Sequence, residues 1–136
     1  MKPYSLYIID DEQMVREGIA LAIKSFYQIR TFESAEEALK IIKEEPPDLV
    51  LLDIGLRAMN GIEALERIKA INDEILVIMV TAYEDVETVV TAMKLGAYDY
   101  TVKPVHIESL LNTIRNALDT IKMRKEIQSL QDKYLR

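Results

Sequence analysis

At 136 residues, 49% apolar and 29% charged, the chain suits one globular domain with a single core and a short appendage. It has no cysteine, which excludes disulfides and thiolate metal sites. No apolar run approaches the roughly 20 residues that span a bilayer, and Met1-Lys2-Pro3-Tyr4 leads straight into a strand-like segment with no room for a signal peptide, so no membrane association and a cytoplasmic address are expected. The net charge of −6 is uneven: residues 1–120 hold 12 basic against 21 acidic side chains, residues 121–136 hold 5 against 2. The body therefore lacks the clustered cations that nucleic-acid binding needs. The basic tail reads as a solvated helix face or a contact for an acidic partner.

In chain order, Ser5 to Ile9 reads as a first strand, closed by Asp10-Asp11. Val15, Ile19, Ala22, Ile23 and Phe26 then follow helical spacing as one apolar stripe. Gln28 to Thr31 is a second strand. Ser34, with Glu37 three residues on, offers a capping box for a helix through Leu39, Ile42 and Lys43, which Pro46-Pro47 ends. Leu49 to Leu52 is almost continuously apolar, as in a strand covered by helices on both faces. Asp53 to Gly61 is a loop, after which Ile62, Leu65, Ile68 and Ile71 mark a third helix. Ile75 to Val80 is a second strongly buried strand. A helix through Val86, Val89, Val90 and Met93 ends at Gly96, a C-terminal cap. Ala97 to Val102 is the fifth strand, broken by Lys103-Pro104, and a last helix begins near Ile107. Five strand–helix units with right-handed crossovers predict an α/β, doubly wound parallel sheet of order 2-1-3-4-5, flavodoxin-like, with an extended C-terminal helix.

In such sheets, sites form beyond the carboxyl ends of the strands where strand order reverses. Asp10, Asp11 and Asp53 fall there, and the fourth and fifth strands bring Thr81 and Lys103 to the same rim. Three carboxylates in one place repel unless a cation intervenes, and Mg2+ prefers such hard oxygen ligands while keeping positions open. A carboxylate can attack phosphorus to give an acyl phosphate, with Lys103 and the Thr81 hydroxyl compensating phosphoryl charge. Taken singly, each residue has a plainer reading. Asp10-Asp11-Glu12 could cap a helix, Asp53 could be a turn residue, Thr81 an N-cap, Lys103 a solvated lysine and Tyr100 a packing residue. It is their convergence that favours the chemistry.

Ile9-Asp10-Asp11-Glu12, Leu52-Asp53-Ile54 with Gly61 eight residues after the acid, Val80-Thr81-Ala82 and Lys103-Pro104 together resemble the receiver domains of two-component response regulators, over roughly residues 4–121. The resemblance implies Asp53 as phosphoacceptor, with Mg2+ held by Asp11 directly, Asp10 largely through water, Asp53 and the Gly55 carbonyl. It implies Thr81, Ala82, Tyr100 and Lys103 as the phosphate-binding and switch set, and a cis-proline at Pro104. A sensor histidine kinase would be the donor, and the chain would be no enzyme beyond slow self-dephosphorylation. The family's usual proline four residues after the acceptor is Arg57 here, which predicts a more mobile loop, and the resemblance implies that Gly55 and Tyr83 hold variable positions that tune phosphoryl lifetime.

Ile107, Leu111, Ile114, Leu118 and Ile121 predict one stripe packing on the sheet. Met123, Ile127, Leu130 and Tyr134 continue it with no sheet left to cover, so residues 1–121 are read as the receiver domain and 122–136 as a helical linker or short coiled-coil extension. Homodimerisation is expected through this helix or through the face of the fourth helix, fifth strand and fifth helix. The extension resembles receivers at the front of enhancer-binding transcription activators. Their output domain is absent from this chain, which carries neither a GxxxxGK[ST] loop nor a helix-turn-helix. The alternative is a stand-alone receiver in a phosphorelay. Two other rivals fit less well. A magnesium phosphohydrolase would place its two acids two apart after the first strand, and a receiver-like module acting without phosphate would have lost an acid or the lysine.

Overall fold

Successive residues of a strand point to opposite faces, and here both faces are apolar, so the sheet must be covered twice. A computed structural model describes residues 4–56, 59–82 and 86–135. Arg57 and Tyr83, with the expectations attached to them, lie outside the described residues. The strands are β1 (Ser5–Ile9), β2 (Gln28–Phe32), β3 (Leu49–Asp53), β4 (Leu76–Thr81) and β5 (Asp99–Val102). They form one parallel sheet of order β2-β1-β3-β4-β5. Between them run the helices α1 (Gln13–Ile23), α2 (Ala35–Glu44), α3 (Gly61–Ile71) and α4 (Val86–Lys94), and α5 (Ile107–Tyr134) follows β5.

The alternation sorts the core into two halves. Leu6, Ile8, Leu49, Leu51, Leu76, Ile78 and Val80 face α1 and α5, meeting Ile19, Ile23, Leu110, Ile114, Ala117 and Leu118. Tyr7, Ile9, Val50, Leu52, Val77 and Met79 face the other way, against Ala38, Leu39, Ile42, Ala64, Leu65, Ile68 and Ala92. Continuous apolar runs at β3 and β4 thus belong to strands buried on both faces.

Local signals set several element ends. The Ser34 hydroxyl accepts from the Glu37 N–H at 3.3 Å and caps α2. Gly96 takes φ +104 after α4, where the N–H groups of Gly96 and Ala97 reach back to the carbonyls of Met93 and Ala92, a Schellman ending that only glycine enters without strain.

Two stripes need correction, and the packing of α4 adds a residue that spacing did not mark. The α1 stripe stops at Ile23, and Phe26 sits in the following turn, 55% exposed. Of the apolar positions read along α4, Val86, Val90 and Met93 are exposed and Val89 half-buried; Ala92 carries the packing instead. The α5 stripe is centred on Leu110, Ile114, Ala117 and Leu118, with Ile107, Leu111 and Ile121 at its margins. Strand bounds also differ slightly: β2 gains the buried Phe32, β4 runs Leu76–Thr81, and β5 starts at Asp99.

Candidate functional site

Strand register gathers the site. Ile9 pairs with Leu52 across β1 and β3, Asp53 with Val80 across β3 and β4, and Thr81 with Val102 across β4 and β5. The residues just past these pairs therefore emerge side by side at one edge of the sheet. Asp10 follows β1, Asp53 ends β3, Thr81 ends β4 and Lys103 follows β5.

Asp10, Asp11 and Asp53 each place a carboxylate oxygen within 4.8 Å of the others. Asp10 and Asp53 are buried and Asp11 half-buried. The Lys103 ammonium reaches in from the opposite side, 2.9 Å from Asp10 Oδ2, 3.1 Å from Glu12 Oε1 and 3.5 Å from Asp53 Oδ2. Its own backbone N–H donates to the Thr81 carbonyl at 2.7 Å, so the lysine's stem is anchored to β4. The Lys103–Pro104 peptide bond is cis.

The loops are held from several directions. The Asp10 N–H donates to the Phe32 carbonyl, the Glu12 N–H to Asp10 Oδ1 at 2.9 Å, and the Arg16 guanidinium to the Asp10 carbonyl at 2.8 Å. At the end of β3, the Gly55 N–H donates to Asp53 Oδ1 at 3.1 Å and the Ile54 N–H to the Val80 carbonyl. Burial pushes the Asp53 carboxyl above the usual aspartate range, and the neighbouring Asp10 and Asp11 charges push the same way; the Gly55 N–H and Lys103 oppose them. Burial alone would lower the Lys103 ammonium, but its bonds to Asp10 and Glu12 and the charges of Asp53 and Asp10 outweigh it and raise it.

Asp10, Glu12 and Asp53 thus share one ammonium, and Asp11 adds a further carboxylate to the cluster. Each pair of carboxylates at this separation repels by about 3 kcal/mol at an effective dielectric near 20, and one lysine does not neutralise them. A divalent cation would. The donors are all hard oxygens, which fits magnesium or calcium and not zinc.

Asp10, Asp11, Asp53 and Lys103 are therefore brought together, and Thr81 is buried at the same rim. Ala82 is exposed beside them. Tyr100 stands apart: it is 43% exposed on the solvent side of β5. Two participants carried no assigned role in the sequence. Glu12 stood in the sequence only as the third acid of a run that could cap a helix, and its pairing with Lys103 comes from the structure. Arg16 had no such signal, since only the turn between β1 and α1 brings its guanidinium back onto Asp10.

The profile described as the response regulator receiver domain matches residues 6–115. Regulatory protein AtoC of Escherichia coli (strain K12) is 36% identical over 127 residues, covering 92% of this chain and 27% of AtoC. Among solved structures, NtrX from Brucella abortus in complex with ADP superposes with a TM-score of 0.87 at 32% identity, over 93% of this chain and 30% of that one. A CheY-like receiver domain protein from Methanospirillum hungatei JF-1 superposes at 0.85 and 30% identity, over 89% and 98%. The chain thus spans under a third of the length of AtoC and of that NtrX structure.

Proposed function

The chain belongs to the response regulator receiver-domain family of two-component signalling, and from that premise we propose that Asp53 accepts a phosphoryl group from a partner histidine kinase. Receiver domains are regulatory, and we read this one as a switch without turnover beyond slow loss of its own phosphate. The observation that carries the reading is the meeting of three carboxylates, their oxygens within 4.8 Å, beside one half-buried lysine.

An Asp53 oxygen attacks phosphorus, the P–N bond of the donor breaks, and the leaving imidazole takes up the electron pair and then a proton. Asp10, Asp11, Asp53 and the Gly55 carbonyl would hold magnesium. The ion would offset carboxylate repulsion and polarise the phosphoryl oxygens. Lys103, already between Asp10 and Asp53, pairs with the charge that arrives on the new acyl phosphate. The Gly55 N–H orients Asp53 by holding one of its oxygens and leaving the other to react. Thr81 and Ala82 at the end of β4 contact the phosphoryl group. Phosphorylation favours one of two pre-existing conformations, in which Thr81 and Tyr100 move together.

Intact-mass spectrometry after incubation with acetyl phosphate tests this. Wild-type chain with Mg2+ gains one phosphoryl group, and chelation abolishes the gain. A wild-type mass that stays unchanged with magnesium present removes the assignment.

The output is a dimer contact. Met123, Ile127, Leu130 and Tyr134 are 55–68% exposed along the free half of α5, and Val86, Val90, Met93 and Tyr100 form a second exposed apolar group on α4 and β5. We assign residues 122–136 to a linker that pairs with a second copy and leads to a transcription-activating domain, since AtoC and NtrX are much longer than their matched parts. A receiver without an output domain is the second reading, favoured by the Methanospirillum hungatei chain, 98% of which is covered. Sedimentation velocity checks the dimer: the wild-type chain shifts toward dimer with beryllofluoride and Mg2+, and the Ile127→Glu/Leu130→Glu variant stays monomeric. Equal sedimentation of the two would clear the tail of this role. No described helix is long and apolar enough to cross a membrane, and a cytoplasmic location accords with the proposed kinase partnership.

A further inference from the structure

Gly61 opens α3 at the far end of the loop that leaves Asp53. Its N–H donates to the Ile54 carbonyl at 3.0 Å, and the Ile54 N–H is in turn bonded to the Val80 carbonyl at 3.1 Å. The start of α3 is thereby tied to the acceptor strand and, through it, to β4. A Cβ on Gly61 would lie 2.4 Å from the Asp53 carbonyl oxygen, 2.5 Å from the Ile54 Cα and 3.0 Å from the Asp53 carbonyl carbon. All three are backbone atoms, so no side chain can swing away to relieve the overlap. Either the end of β3 or the first turn of α3 has to shift, and packed interiors yield little to such strain.

The other glycines set a scale. A Cβ on Gly55 would meet nothing nearer than Asp53 Oδ1 at 3.7 Å, an ordinary contact, and one on Gly18 would meet nothing within 4 Å. Nor is backbone conformation the reason for glycine at 61, because Gly96 alone among the described glycines has a positive φ. Space is the reason, and the space is filled by the backbone of the acceptor itself.

We infer that Gly61 is a positioning residue: its missing side chain lets α3 seat directly against the Asp53 and Ile54 backbone, and so sets where the acceptor carboxylate meets Asp10, Asp11 and Lys103. The inference rests on the phosphoacceptor reading of Asp53. To restore ordinary contact distances, the end of β3 or the first turn of α3 must move by the order of 1 Å, and where the acceptor takes up that shift the misplacement can cost about a hundredfold in a reaction dependent on alignment. The lesion is local, since alanine is itself a good helix former at the start of α3.

Gly61→Ala, alone and in a Gly18→Ala background that adds helix stability, tests this beside the wild type and Gly18→Ala. Circular dichroism follows folding, calorimetry follows Mg2+ binding, and tyrosine fluorescence follows beryllofluoride binding with Mg2+ present. Gly61→Ala is expected to keep the wild-type helix signal while binding Mg2+ and beryllofluoride at least tenfold more weakly. In metal-free buffer its amide resonances at Ile54, Gly55 and Leu56 shift, and Gly18→Ala matches wild type in every readout. Binding within twofold of wild type overturns the inference, as does a Gly61→Ala chain that stays unfolded in both backgrounds, which would make the glycine a folding requirement. Wild-type chain that binds neither probe would instead overturn the parent reading of Asp53.

Discussion

Replacing Asp53 by asparagine is expected to raise the melting temperature in metal-free buffer while abolishing phosphoryl uptake. Asp53 is buried beside Asp10 and Asp11, with Lys103 closer to Asp10 than to it. Its carboxyl is raised, so the folded chain holds that proton more tightly than the unfolded one. Stability therefore falls as pH climbs from the ordinary aspartate range through the raised value, and at neutral pH the ionised group is a liability. Asparagine keeps an oxygen to accept the Gly55 N–H and drops the charge. Relief of about 1–2 kcal/mol, the scale of an imperfectly compensated buried group, corresponds to roughly 3–8 °C for a chain of this size. Mg2+, which by binding the folded state would stabilise the wild type, should raise the variant's melting temperature far less. Calorimetric melts with and without Mg2+, together with intact mass after acetyl phosphate, check both halves. An unaltered melt shows that Asp53 is well compensated without metal, and a phosphorylated variant shows that the acceptor lies elsewhere.

Removal of the lysine acts in the opposite direction. Lys103→Met leaves Asp10 and Asp53 facing each other without the ammonium that sits between them, and Glu12 loses its partner at 3.1 Å. Breaking a buried pair from one side typically costs 3–5 kcal/mol; with Asp11 and solvent close by, about 3 kcal/mol is expected, a drop of roughly 10 °C. The raised Lys103 gives the wild type a stabilising contribution that is complete at neutral pH and is lost only as pH rises through its elevated folded value, above the ordinary lysine range. Added Mg2+ should therefore rescue Lys103→Met by more degrees than it stabilises wild type, because a second cation takes over part of the compensation. Lys103→Arg, which keeps the charge, should lose about half as much. A metal-free Lys103→Met chain that melts with wild type would show that the ammonium contributes nothing to holding the acids together.

The residues whose placement was readable from order alone are those whose neighbours are set by topology. Once β3 and β4 are recognised as apolar runs buried on both faces, Asp53 and Thr81 must emerge at the same rim, and Asp10 and Lys103 follow from parallel pairing. Helical period was less decisive. It carried α1 on to Phe26 because spacing says which face is apolar and nothing of where the backbone turns, and the chain turns after Ile23. It also traced α4 through its valines without telling what, if anything, they pack against. Apolar spacing is the same whether the covering surface belongs to this chain or to another, and Val86 and Val90 remain open to solvent. Arg16 and the tight seat of Gly61 arise from contacts across turns, which no periodicity encodes.

One property of α5 bears on how far a small change at the rim can be felt. The helix is a single piece of 28 residues, pinned to the sheet by Leu110, Ile114, Ala117 and Leu118. Beyond this the Arg124 guanidinium bonds the Glu74 carbonyl, a last point of purchase at the base of the sheet. From Lys125 to Tyr134 the rod projects about 15 Å at roughly 1.5 Å per residue. A tilt of some 10° at its seat would sweep the tip through roughly 2–3 Å, enough to loosen the fit of one apolar ridge in a facing groove. At the dimer contact proposed for this helix, the stiffness of one unbroken rod would supply mechanical gain, turning a rearrangement too slight to alter the core into a change of registration.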